Sequence, residues 1–288
     1  MNVDKVLQLI KLPQSLFALP WVLSGAFAPF LIGKAQFSLF KLLWVIVAFM
    51  AARTAGMAAN RLIDARLDAL NPRTASRLIP SGRAKKSEVM VVALLSSLAF
   101  VFSAAMINTL CLIISPLPLA LIWLYSWTKR FTSLCHFILG IIEFLAPVCA
   151  WVAMTGEIGW APFFLGSAFM CLISGADIIY ALQDFDFDLQ NGVHSIPVYL
   201  GKKKAIILAR ILHLSTLLFL ILFALSMGLT VLYSIGCMGI ALILFFFHQK
   251  IQVNGIKAIP NEFFFCLSYV SMVQFTTLIG EVVLWRIM

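Results

Sequence analysis

The chain of 288 residues is 62% hydrophobic and 11% charged, whereas an ordinary globular domain carries about 25% charged residues. That leaves too little polar surface for a soluble fold, and a net charge of +9 with no basic amphipathic face does not support a nucleic-acid partner. The six cysteines stand singly in apolar segments, with the spacing of neither a metal site nor a secreted disulfide framework.

Apolar stretches of roughly the 20 residues that cross a bilayer predict membrane helices over 16–33, 38–64, 88–107, 109–127, 133–154, 161–184, 204–228, 229–247 and 261–285. The expected fold is an all-α integral membrane protein of nine helices. Because the first run is followed by further runs of membrane length, it is expected to remain in the protein and not to be cleaved as a signal peptide. Two long polar segments, 65–87 and 185–203, interrupt the pattern.

Lysine and arginine collect on one side: Lys5 and Lys11, Arg66 to Lys86, Lys129 and Arg130, Lys202 to Arg210, Lys250 and Lys257. The other side holds Lys34, Lys41 and Arg286. Since cytoplasmic loops retain positive charge, the N-terminus and both polar segments are expected in the cytoplasm and the C-terminus outside. A bacterial inner membrane is the expected location. No short repeat is present; the faint echo is that the second and sixth helices each end in Asp-x-x-x-Asp.

All aspartates but Asp4 fall in two groups. In Asn60-Arg-Leu-Ile-Asp64-Ala-Arg-Leu-Asp68, a spacing of four stacks Asn60, Asp64 and Asp68 on one helical face. In Asp184-Phe-Asp186-Phe-Asp188 the outer two repeat that relation and the middle one points elsewhere. Carboxylates at membrane helix ends cost roughly 2.5–3.5 kcal/mol each when carried to mid-membrane and mark ion or substrate sites. Magnesium takes one or two carboxylates together with water and phosphate oxygens, so two such stripes could grip a diphosphate through shared ions. The alternative is that both groups are solvated helix ends.

Bases suited to phosphate lie nearby: Arg73, Arg77 and the run Tyr125-Ser-Trp-Thr-Lys129-Arg130. Two charges sit deeper. Arg53 lies eleven residues before Asp64 and Asp177 seven before Asp184, and both offsets return to within about 20° of the same face. Both are expected in the cavity of the aspartate stripes, as a floor for the acceptor or as a mutual salt bridge. The four histidines lack metal-ligand spacing, and the chain has no P-loop. No serine or cysteine has an evident base and orienting acid for acyl transfer.

The first acidic motif, continued by Asn71-Pro-Arg73-Thr-Ala-Ser-Arg77-Leu-Ile-Pro80-Ser-Gly82, resembles the first signature of the UbiA superfamily of intramembrane prenyltransferases. Tyr180-Ala-Leu-Gln-Asp184-Phe-Asp-Phe-Asp188-Leu-Gln-Asn-Gly192-Val-His-Ser195-Ile-Pro197 is similar to the second. The commonest family form has aspartate where this chain has Arg61; the Asn-Arg form resembles 4-hydroxybenzoate polyprenyltransferases and related menaquinone-pathway enzymes. The resemblance covers essentially residues 1–288 as one domain. It implies nine helices around a central cavity capped by cytoplasmic loops. Magnesium and the diphosphate would be held by Asn60, Asp64, Asp68, Asp184 and Asp188, with Arg73, Tyr125, Lys129 and Tyr180 lining the substrate site.

The implied reaction moves a polyprenyl group from polyprenyl diphosphate to 4-hydroxybenzoate or, as an alternative, to a dihydroxynaphthoate. Arg53 would hold the acceptor's carboxylate and Asp177 orient or deprotonate its phenol. An ion-coupled transporter is the rival from another class, but its site belongs near the midplane, whereas these acidic pairs lie at helix ends. Nothing in the sequence points to a protein partner.

Overall fold

The computed structural model describes residues 3–11 and 16–287, and among these there is no strand. Arg286, counted in the charge asymmetry, has its side chain outside the described set. A short helix, α1 (Val3–Ile10), precedes the first apolar helix α2 (Leu19–Leu31). Then come α3 (Leu39–Ile63), the short α4 (Ala65–Leu70), α5 (Lys86–Ile107), α6 (Thr109–Ile114), α7 (Pro116–Thr128), α8 (Cys135–Thr155) and α9 (Trp160–Ala181). A 3-10 turn at Leu182–Asp184 leads to α10 (Phe185–Gln190), followed by α11 (Ile196–Leu200), α12 (Lys202–Met227), α13 (Val231–Asn254) and α14 (Ile259–Ile287).

Eight segments among the described residues are long and apolar enough to cross a membrane. The first expected span is shorter than the sequence suggests, with 13 residues in α2, or about 20 Å at 1.5 Å per residue. The expected span 109–127 is broken at Ser115, because Pro116 and Pro118 cannot donate the backbone N–H that a continuous helix requires. Asn108 opens the piece before the break, its side chain accepting from Cys111 N at 2.7 Å.

Helix α9 is the axis of the bundle: 78% of its crossing window is buried, against 22–44% in the other seven. A helix that is apolar all round belongs inside, and glycine lets the neighbouring helices close tightly. A Cβ on Gly25 of α2 would lie 2.1 Å from the Pro147 carbonyl of α8, and one on Gly140 of α8 would lie 2.1 Å from Ser174 Oγ of α9. Small residues at such crossings are what membrane helices use where lipid supplies no hydrophobic drive between them. Trp21 stacks on Phe169 at 4.7 Å and donates to Ser271 Oγ at 2.9 Å, which ties α2, α9 and α14 together.

The outer faces are apolar. Val91, Leu94, Leu95, Leu98 and Phe102 form an exposed stripe on α5, as do Leu214, Leu218, Ile221 and Leu225 on α12. Patches of this extent are incompatible with a water-facing surface and fit lipid. All six cysteines are free and at least partly buried.

Candidate active site

The helix α3 ends at Asp64, whose backbone leaves the helical region (φ −88°, ψ 0°), and α4 restarts one residue later. The i to i+4 spacing survives the break: Asp64 N donates to Asn60 O at 2.9 Å and Asp68 N to Asp64 O at 2.8 Å. Asn60 Nδ2 donates to Asp64 Oδ2 at 2.7 Å and to Ser126 Oγ at 3.1 Å. On the second stripe the 3-10 turn and α10 turn Asp184 and Asp188 inward, while Asp186 is 82% exposed and lies 3.6 Å from Lys202.

One polar pocket gathers both stripes. It is lined by Asn60, Asp64, Asp68, Asp184 and Asp188, with Arg73, Arg77, Tyr125, Lys129, Asp177 and Tyr180. Each of three carboxylates has a basic partner. Lys129 Nζ contacts Asp64 Oδ2, Arg77 donates to Asp68 Oδ1 at 2.6 Å, and Arg73 forks onto both oxygens of Asp184. Asn71 Nδ2 also donates to Asp184 Oδ1 at 2.8 Å, so the segment after α4 is tied to the second stripe.

Burial pushes the Asp64 carboxyl above its ordinary value, and Lys129 opposes the shift. Burial acts to lower the Arg73 guanidinium, but its bonds to Asp184 outweigh that and hold it above the usual range. Lys11 is pushed down to about 8 by burial, with Arg61, Arg77 and Arg73 adding to the effect. The docking of α1 puts Lys11 there, since Leu9 is buried with Ala58 of α3 and Val89 and Ala93 of α5.

A second cavity, of about 300 Å³, adjoins the first. Its wall is apolar, with Val45, Phe49, Ile122 and Ala146 among its lining, and it contains Arg53 and Glu143. Asn60 and Tyr125 line both spaces.

A sequence model of the UbiA prenyltransferase family matches residues 18–269. The chain belongs to this family. It is a prenyltransferase, and the transporter reading falls away. Among UbiA relatives, 4-hydroxybenzoate octaprenyltransferase of Vibrio vulnificus is 27% identical over 234 residues, covering 81% of each chain. The apo structure of a UbiA homologue from Aeropyrum pernix superposes with a TM-score of 0.84 at 28% identity, covering 93% of this chain and 98% of that one. A UbiA homologue from Archaeoglobus fulgidus bound to GPP and Mg2+ gives a TM-score of 0.73 at 19% identity, covering 97% and 99%.

One placement and one pairing in this UbiA-family chain differ from the sequence reading. Arg53 does not line the aspartate pocket but the adjoining cavity, and its partner is Glu143, with Arg53 Nη1 3.1 Å from Glu143 Oε1. Asp177 does line the aspartate pocket, but paired with His136 Nδ1 at 2.7 Å. No Arg53–Asp177 bridge forms, because the facing partners come from α8, and an offset along one helix says nothing about its neighbour. Glu143 and His136 were missed: the first is a lone acid in an apolar run, and the second was judged only for metal spacing. Arg130, a phosphate base in the sequence reading, donates to Ser126 O at 2.9 Å and Ile63 O at 2.6 Å, finishing the end of α3, and its Nη2 lies 3.7 Å from Asp64 Oδ1.

The pocket's fit to a divalent ion can be judged from its oxygens. Asp64 Oδ1 and Asp68 Oδ2 are buried with no hydrogen-bond partner among the described residues, and hard oxygen donors of this kind suit magnesium. No three acidic, histidine or cysteine groups among the described residues cluster closely enough to hold a metal by themselves. The fit is therefore to ions that take one or two carboxylates here and complete their shell with ligand oxygens and water.

Proposed function

We propose that the enzyme transfers a polyprenyl group from polyprenyl diphosphate to an aromatic acid, 4-hydroxybenzoate, in quinone biosynthesis. The observation that carries this reading is the junction of a charged pocket and an apolar cavity at Asn60 and Tyr125. A diphosphate head needs cations and a polyprenyl tail needs hydrocarbon. The two spaces offer one of each.

In this reading Arg73, Arg77 and Lys129 exchange some of their bonds to Asp184, Asp68 and Asp64 for diphosphate oxygens. The carboxylates they release, with Asn60 and Asp188, would hold magnesium, which when bound would neutralise the departing diphosphate. Tyr125 and Tyr180 bound the place where the allylic carbon separates from oxygen. Arg53 offers the acceptor's carboxylate a forked donor, in competition with Glu143, and Asp177 lies towards the phenol end. The A. fulgidus homologue, bound to GPP and Mg2+, and the 4-hydroxybenzoate octaprenyltransferases support the donor, metal and acceptor classes.

We place nine crossings in a bacterial inner membrane, with α2 as the first. The basic asymmetry puts the charged pocket at the cytoplasmic face and the C-terminus outside. The test is an assay of purified protein with several prenyl diphosphates against 4-hydroxybenzoate and a dihydroxynaphthoate. Magnesium-dependent prenylation of 4-hydroxybenzoate supports the reading, transfer to the naphthoate alone reassigns the acceptor, and no magnesium-dependent diphosphate release with either removes it.

A further inference from the structure

Resting on the proposed transfer to a hydroxylated aromatic acid, the geometry points to His136 as the catalytic residue that takes the acceptor's hydroxyl proton, with Asp177 as its positioning residue. His136 is the second residue of α8 and lines the polar pocket opposite Asp177 of α9. Its Nδ1 lies 2.7 Å from Asp177 Oδ2. An ionised carboxylate can only accept, so in the neutral ring Nδ1 carries the hydrogen and Nε2 is the atom that remains for a substrate. That Nε2 is buried and has no hydrogen-bond partner among the described residues, in a residue only 4% exposed. Leaving a buried polar atom unpaired is costly, and a bound hydroxyl would satisfy it.

The position fits the chemistry. Asp177 lies seven residues before Asp184, about 10 Å along the helix at 1.5 Å per residue. The nearby carboxylates Asp64, Asp68 and Asp184 are each engaged by lysine or arginine, which makes them poor proton acceptors. The other titratable groups around His136 in this pocket are Tyr125 and Lys129 from the end of α7, Tyr180 from α9, Asp188 from α10, Arg73 and Arg77 from the segment after α4, His194 after α10, and Cys135 beside it.

The step balances as follows. The donor's C–O bond breaks and diphosphate leaves with the electron pair, while the ring carbon beside the hydroxyl forms the new C–C bond. The hydroxyl proton passes to His136 Nε2, giving a ring ketone. Loss of the ring hydrogen as a proton to the released diphosphate restores aromaticity, and His136 returns its proton to the oxygen.

The experiment is steady-state kinetics of the full chain in lipid vesicles, with magnesium, a prenyl diphosphate and 4-hydroxybenzoates fluorinated so that the hydroxyl becomes progressively more acidic. His136→Gln is expected to lower kcat about 100-fold or more with donor KM unchanged, and the loss should shrink as the hydroxyl grows more acidic. Asp177→Asn should show the same trend with a smaller loss. Binding of a thiolodiphosphate donor analogue, read as thermal stabilisation, reports whether each variant is folded. If His136→Gln fails that control, Asp177→Asn is judged by the same criterion. An equal loss across the series makes the pair purely structural and overturns the inference alone. A wild type that prenylates none of these acceptors takes the proposed function down with it.

Discussion

Arg53 Nη1 of α3 and Glu143 Oε1 of α8 lie 3.1 Å apart across the wall of the apolar cavity. An acceptor carboxylate at Arg53 would have to share the guanidinium with an acid already there. Arg53→Ala should raise the acceptor KM about 10- to 100-fold, the worth of a hydrogen bond to a charged group, with donor KM little changed. Glu143→Gln should move the acceptor KM the other way. A phenol without the carboxylate should lose much less in Arg53→Ala, and the coupling between substrate and side chain isolates the contact. Equal losses for both acceptors would assign Arg53 to structure.

Asp64→Asn and Asp184→Asn are each expected to abolish turnover while the protein stays inserted and folded. Each removes one carboxylate from a stripe and leaves its partner, Lys129 or Arg73, without a counterion. Breaking the pair at the buried Asp64 costs about 3–5 kcal/mol, so melting should be checked alongside activity in detergent. Near-normal rates at limiting magnesium would sink the idea of a clamp made from both stripes.

Removing magnesium with a chelator should stop diphosphate release and restore it on readdition, with no loss of helix content by circular dichroism. The helices are held by packing and by ion pairs that need no metal. A melt that follows the metal would argue for a structural ion instead.

Lys11, pushed down to about 8 by burial and by the neighbouring arginines, carries its charge below that pH and loses it above. Donor KM should therefore rise several-fold from pH 7 to pH 9.5 as one cation leaves the pocket's surroundings. Lys11→Arg, which stays charged, should flatten the profile, and an unaltered profile in that variant would show that another group titrates.

Tags placed in the 66–86 and 189–203 segments should be reached by an impermeant reagent from the same membrane face, and a tag at the C-terminus from the opposite one. Arg73 and Arg77 of the first segment and Val193 and Ser195 of the second line the same polar pocket, so labelling the two from different sides would contradict the site itself.

The two stripes were legible in the sequence because a spacing of four is a property of one helix. Asp186 could be set aside on the same ground, and it is exposed. What could not be read was the pairing between helices. Glu143 lies 90 positions from Arg53 and His136 lies 41 from Asp177, and which helices face each other is decided by close crossings at residues such as Gly25 and Gly140. The break at Ser115 had a readable cause in Pro116 and Pro118. The shortness of α2 had none as clear, since apolar residues continue on both sides of its 13-residue core.

Asn60 and Tyr125 stand on the border of the two spaces, and in the proposed reaction that border runs through the donor molecule instead of around it. A lipid-soluble chain with a multiply charged diphosphate head has no comfortable medium of its own. At this threshold its head remains among ions and water while its tail stays in oil, and the bond that joins them lies at the sill. The cut thus separates two products that already belong to different phases, so neither has to be dragged across the membrane boundary to leave.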